Sequence, residues 1–162
     1  MSSQLSNLFA GMAVIFVVLI AYFIVSLIAN YMLLGKIGRK KWPGLIPYVN
    51  DYFLFDSFWD NKAFAAWIVL YILTILCVRS SNHTLTIIGM ILSICNFVLS
   101  IMLYSKISKA FGKSALYTLG LVIIYPVFAI ILVYKGELTS DFSDELSKKM
   151  SERQAKNKED RR

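Results

Sequence analysis

Charge is what this sequence lacks over most of its length. Residues 5–34, 84–105 and 114–134 contain no charged side chain. Each run is long enough to cross a hydrocarbon core of about 30 Å at roughly 1.5 Å per residue, so an ordinary water-soluble domain is excluded. Histidine occurs once, at His83, and a zinc protease motif needs two histidines with an acid between them. The two cysteines, Cys77 and Cys95, lie inside apolar stretches without metal-ligand spacing, where a thiol behaves as a small hydrophobe. A basic n-region is missing from residues 1–7. The first apolar run also exceeds the length of a signal-peptide h-region, so it is expected to be a retained span.

What is present is hydrocarbon in blocks. Apolar residues make up 57% of the chain, above the share usual for a globular domain. The blocks read as an all-α, polytopic membrane helical bundle of about four transmembrane helices, at about 6–34, 63–78, 84–104 and 115–134. The second is short, but Lys62 and Arg79 at its ends can snorkel to the two interfaces, and Phe58 and Trp59 can extend it. Residues 1–134 then form one transmembrane domain. Residues 135–162 form a mixed-charge, solvated and mobile tail, in which Phe142, Leu146 and Met150 recur every four residues, enough for one short amphipathic helix.

A net charge of +7 fits loops that orient a membrane protein, not a nucleic-acid surface. Trp42, Tyr48 and Tyr52 beside those cations fit an interfacial aromatic belt. Residues 35–62 hold five Lys or Arg and residues 105–114 hold three. With four spans, both loops are expected in the cytoplasm and both termini outside. Pro126 is read as a kink within the last span; the alternative is a re-entrant hairpin bending at Pro126, which returns the tail to the cytoplasm.

The stretch "GRKKWPGLIPYVNDYFLF", residues 38–55, is too broken by charge and proline to be a span. Arg39, Lys40, Lys41 and Trp42 form a basic, aromatic corner suited to anionic headgroups. Pro47 suits the first turn of a helix. At about 100° per residue, a helix from Pro47 to Trp59 places Asn50, Asp56, Ser57 and Asp60 on one face, and Tyr48, Tyr52, Leu54, Phe55, Phe58 and Trp59 on the other. Residues 42–59 are therefore expected to lie in the interface between the first two spans, polar face to water. Asp51 breaks the pattern by entering the apolar arc, where an unpaired carboxylate is costly. It is expected to accept first-turn amide hydrogen bonds, or to form an ion pair with Lys109 or Lys113 that ties two loops together.

Inside the third span, Gly89, Ser93, Asn96 and Ser100 are spaced by four, three and four and share one face. Small residues permit close helix approach and an amide can bridge helices, so this face is read first as packing glue and second as a polar route for a solute. Candidate partners are Ser26 and Asn30 in the first span and Thr74 in the second. The triplet Gly112-Lys113-Ser114 is no phosphate-binding loop, because the first glycine of that motif falls at Ile107. Ser105, Ser108 and Ser114 lie near lysines that solvent keeps protonated, so a serine–lysine nucleophile is not expected. No catalytic residues, metal site or cofactor are expected.

Two blocks carry a resemblance. Gly38-Arg39-Lys40-Lys41-Trp42, Leu45-Ile46-Pro47-Tyr48, Asn50 and Tyr52-Phe53-Leu54-Phe55 form one; Lys109-Ala110-Phe111-Gly112-Lys113 followed by an apolar run with Tyr125-Pro126 forms the other. Over residues 38–134 the chain resembles a family of small bacterial multi-span integral membrane proteins of unknown function, some automatically labelled signal-peptidase-like. The family usually has more prolines in its last run, and the charged tail lies outside its pattern. The resemblance implies a bacterial plasma or inner membrane location and supplies no activity. The one Ser-x-Met, Ser100-Ile101-Met102, sits within a span, without the β-rich domain a signal peptidase requires. The expectation is a non-enzymatic accessory or scaffold protein contacting membrane lipids, a membrane protein partner or further copies of itself; a small oligomeric pore is the alternative.

Overall fold

The structure, a computed structural model, describes residues 2–80 and 82–159. The described residues are helical apart from turns and short connections: α1 (Ser2–Lys36), a 3-10 turn (Trp42–Leu45), α2 (Val49–Phe58), α3 (Asn61–Val78), α4 (His83–Ala110), α5 (Ala115–Ile123), α6 (Tyr125–Lys135) and α7 (Ser140–Glu159). Three are long and apolar enough to cross a membrane, over Phe9–Lys36, Asn61–Val78 and His83–Ala110. Their large side chains face outward: Phe16 and Val17 of α1 are each 64% exposed. Such surface has no place in water, at about 25 cal/mol for every Å² exposed, and lipid satisfies it.

Helices α3 and α4 pack as an antiparallel pair. Asn82 caps α4 by accepting the Thr84 backbone N–H at 3.0 Å, which satisfies one of the free first-turn donors. No α3 residue is buried, and from Phe9 onward burial in α1 begins only at Ala29. The core therefore sits at one end of the bundle, where Leu33 and Leu34 of α1, Leu54 and Phe55 of α2, Ile107 of α4, Leu121 of α5, and Ala129 and Leu132 of α6 gather.

The single span expected over 115–134 is replaced by two short helices folded back on each other. At Ile124 the backbone leaves the helical region (φ −132°, ψ 66°), ending α5 and starting α6. The Tyr117 hydroxyl donates to the Phe128 carbonyl at 2.7 Å, and the two rings meet edge-on at 5.1 Å. Gly120 leaves room for the Phe128 ring, which an added Cβ would strike. At the open end, Thr139 donates its backbone N–H to the Ala110 carbonyl at 2.9 Å. Segment 111–138 thus leaves the end of α4 and returns to it. Pro126 is buried in the first turn of α6, where its missing N–H costs nothing; it opens a helix instead of kinking one. Each arm, at 9 and 11 residues, reaches about 14–17 Å, half a hydrocarbon core.

The tail forms α7 and docks. Phe142 stacks on Phe58 at 5.1 Å with the rings 7° from parallel, Leu146 is buried, and the Lys149 ammonium donates to the Trp59 carbonyl at 3.3 Å. Residues 160–162 of the expected tail lie outside the described residues.

Candidate functional site

The segment between α1 and α3 is the most polar part of the buried core. α1 ends at a left-handed glycine, Gly38 (φ 73°), which frees the chain to turn back. Gly44 then seats the 3-10 turn directly on α1: a Cβ there would lie 2.6 Å from the Tyr31 backbone nitrogen. Tyr48, at φ 64°, takes a conformation rare for a bulky residue and starts α2. From there α2 runs antiparallel to α3: the Tyr48 and Tyr71 hydroxyls are 2.9 Å apart, Tyr52 meets the edge of Phe64 at 5.3 Å, and Phe55 meets Trp67 at 5.8 Å. Tyr48 lies beside Tyr71, ten residues into α3 and so about 15 Å along it. Segment 38–59 therefore climbs along α1 with the 3-10 turn and descends with α2 beside α3, in place of the expected helix lying in the interface.

Its polar face turns inward along with Leu54, Phe55 and Phe58. Asn50, Asp56 and Ser57, the expected water-facing residues, are buried, and only Asp60 of that set is exposed. The cause is Arg39, whose guanidinium donates to Asp56 at 2.7 Å with side-chain exposures of 13% and 1%, and which also lies over the Phe53 ring at 5.9 Å. A charge-assisted bond of this kind makes an inward carboxylate tolerable. Arg39 Nε, Asn50 Oδ1 and Ser57 Oγ, all buried, have no hydrogen-bond partner among the described residues. The other expected surface residues remain outside. Lys40, Lys41, Trp42, Pro47 and Tyr48 are exposed, and Lys41 lies over the Tyr31 ring at 5.7 Å. Tyr52 is half-buried.

The expected tie from Asp51 to Lys109 or Lys113 is not made. Ion pairs among the described residues join Arg39 to Asp56 and Lys149 to Glu145, while Lys109 and Lys113 are exposed. Asp51 is half-buried and accepts a hydrogen bond from the Tyr48 backbone N–H. Two aromatic residues of the expected spans lie within its electrostatic reach, Tyr104 and Tyr125. Their rings meet at 5.2 Å, and the Tyr125 hydroxyl donates to Asn30 of α1. No local pattern links residues 95 apart, which is why sequence reading misses this contact. The same holds for Arg39 and Asp56.

The polar stripe of α4 meets α3. Gly89 admits Val78 and Cys77 so closely that a Cβ would lie 2.7 Å from a Val78 methyl. Asn96 donates to the Trp67 carbonyl at 2.9 Å, and the Trp67 indole N–H donates to Ser100 Oγ at 3.2 Å. Ser93 instead bonds its own helix, at the Met90 carbonyl. Ser26 and Thr74, proposed partners of this stripe, likewise bond their own helices.

Among the described residues, no group of three or more His, Cys, Asp or Glu is placed to hold a metal ion. Comparison of the chain with family models, with curated proteins and with solved structures finds no match in any of the three.

Proposed function

We propose that this chain is a non-enzymatic membrane protein that serves as an accessory or scaffold, working through contacts with lipid, with a membrane protein partner or with its own copies. The observation that carries this reading is the use of the α4 stripe: Asn96 donates to the Trp67 carbonyl of α3, and Ser100 accepts the Trp67 indole N–H while donating to the Asn96 carbonyl of its own helix, as interhelical glue does and an open path does not. The rival reading, a small oligomeric pore built on the Ser93 and Asn96 face, requires those groups to face water.

In this reading α1, α3 and α4 cross the membrane, and segments 38–59 and 111–138 re-enter it from one side. Irregular backbone at membrane depth survives where protein satisfies it, and at the α5–α6 break the Ile124 N–H donates to the Gly120 carbonyl at 2.9 Å while the Ile124 carbonyl accepts from the Phe128 N–H at 3.3 Å. Three crossings put α7 on the side of loops 35–62 and 105–114. Every Lys and Arg of the chain except Arg79 then lies on that side, the cytoplasmic one by the positive-inside bias. The family resemblance supports a bacterial plasma or inner membrane as the location; nucleic acid has no part in it.

Liposomes separate the two functions. Solute leakage through the reconstituted protein, abolished by Asn96→Leu, establishes the pore; tight liposomes together with specific crosslinks to a membrane partner or a second copy establish the scaffold.

A further inference from the structure

Where α4 ends and α7 begins, a shallow open groove of about 330 Å³ lies between Phe58, Lys106 and Lys109 on one side and Asp141, Phe142 and Glu145 on the other. Its walls carry opposite charges that do not cancel across it. Among the described residues no ion pair joins either lysine to either acid; Glu145 pairs instead along its own helix with Lys149 at 3.0 Å. Lys106 leans over the Trp59 ring at 5.3 Å, and Lys109 and Asp141 are exposed. α7 is held in place by Thr139 on Ala110 and Phe142 on Phe58, so the two charged walls are fixed relative to each other. The groove opens where the apolar run of α4 gives way to lysines, the level at which a spanning helix meets headgroups.

We propose that this groove binds the headgroup of a zwitterionic phospholipid with a free ammonium, of the phosphatidylethanolamine class. This inference rests on the membrane placement proposed above. The lipid phosphate sits against Lys106 and Lys109, and the ammonium donates to Asp141 and Glu145 in charge-assisted hydrogen bonds. A choline headgroup carries the same charges but has no N–H to donate. A glycerol headgroup has no cation for the acidic wall and leaves its carboxylates facing a phosphate.

The test uses the purified full-length chain in a mild maltoside detergent, with thermal midpoints measured after adding ethanolamine, choline or glycerol phospholipids with matched acyl chains. The ethanolamine lipid is expected to raise the midpoint by a few degrees more than either of the others. Asp141→Asn, Glu145→Gln and Lys109→Gln, each referred to its own lipid-free midpoint, are expected to remove that excess. Equal shifts from all three lipids, or an excess that survives all three substitutions, overturn the proposal while leaving the membrane placement standing. The same shift produced by soluble phosphoethanolamine also overturns it, since the ligand would then be a free solute. Monodisperse protein without detergent or lipid overturns the membrane placement itself.

Discussion

The backbone N–H of Thr139 donates to the carbonyl of Ala110 at 2.9 Å, joining residues 29 apart in sequence across the open end of the α5–α6 hairpin. The bond returns the chain to the end of α4 from which it left, and the proposed three crossings therefore place the start of α1 and α7 on opposite sides. In a background with Cys77 and Cys95 replaced, His83→Cys is expected to react with an impermeant thiol reagent in intact cells. Ser151→Cys should react only after permeabilisation. Labelling of Ser151→Cys in intact cells would restore a fourth crossing.

The Arg39–Asp56 pair is nearly out of solvent. Removing Arg39 takes a charge-assisted donor from a buried carboxylate, and breaking a buried pair typically costs about 3–5 kcal/mol, whereas replacing both partners with apolar groups costs far less. Arg39→Gln is therefore expected to lower the thermal midpoint in detergent sharply, and Arg39→Met with Asp56→Leu to recover much of the loss. Equal losses in single and double variants would show that the charges are not coupled.

Gly44 has backbone against it: an added Cβ would sit 2.6 Å from the nitrogen of Tyr31 and 2.7 Å from the carbonyl carbon of Asn30. Neither atom can rotate away, so Gly44→Ala is expected to cost about 1–3 kcal/mol as overpacking does. Gly11, with nothing within 4 Å, is the control. Chemical or thermal unfolding of both variants measures the difference.

Asn96→Leu removes the donor to the Trp67 carbonyl. Interhelical hydrogen bonds in membranes average about 0.6 kcal/mol and reach about 1.7, so a loss in that range is expected. Ser100→Ala and the double variant should show less than additive losses, because both residues grip Trp67. An unchanged midpoint in every variant would remove the α3–α4 seam as a source of stability.

How far the sequence could be read follows from the range of each interaction. The α4 stripe is legible because Gly89, Ser93, Asn96 and Ser100 repeat at helical spacing, and a face with small and amide side chains has few uses other than helix contact. The amphipathic spacing of Phe142, Leu146 and Met150 is equally local, although only the neighbouring Phe58 shows what it docks on. The polar residues of α2 are buried together with its apolar ones, which helical spacing does not foretell, because Arg39, outside the helix, meets Asp56 there. The Asp51 tie fails for a related reason: proximity of two loops in a diagram does not bring their side chains together.

By itself the sequence determines the solvent of this protein, because charge-free runs of spanning length are tolerated by lipid and not by water. It also determines the helices, since lipid leaves a backbone no other way to satisfy its hydrogen bonds along a span. Only the tertiary structure decides that residues 115–134 fold back on themselves, and that segment 38–59 climbs along α1 and returns beside α3. An apolar run has the same composition and period whether it is one helix or two antiparallel halves. The difference lies in contacts such as Tyr117 with Phe128 and Thr139 with Ala110, which form between residues that no local rule connects.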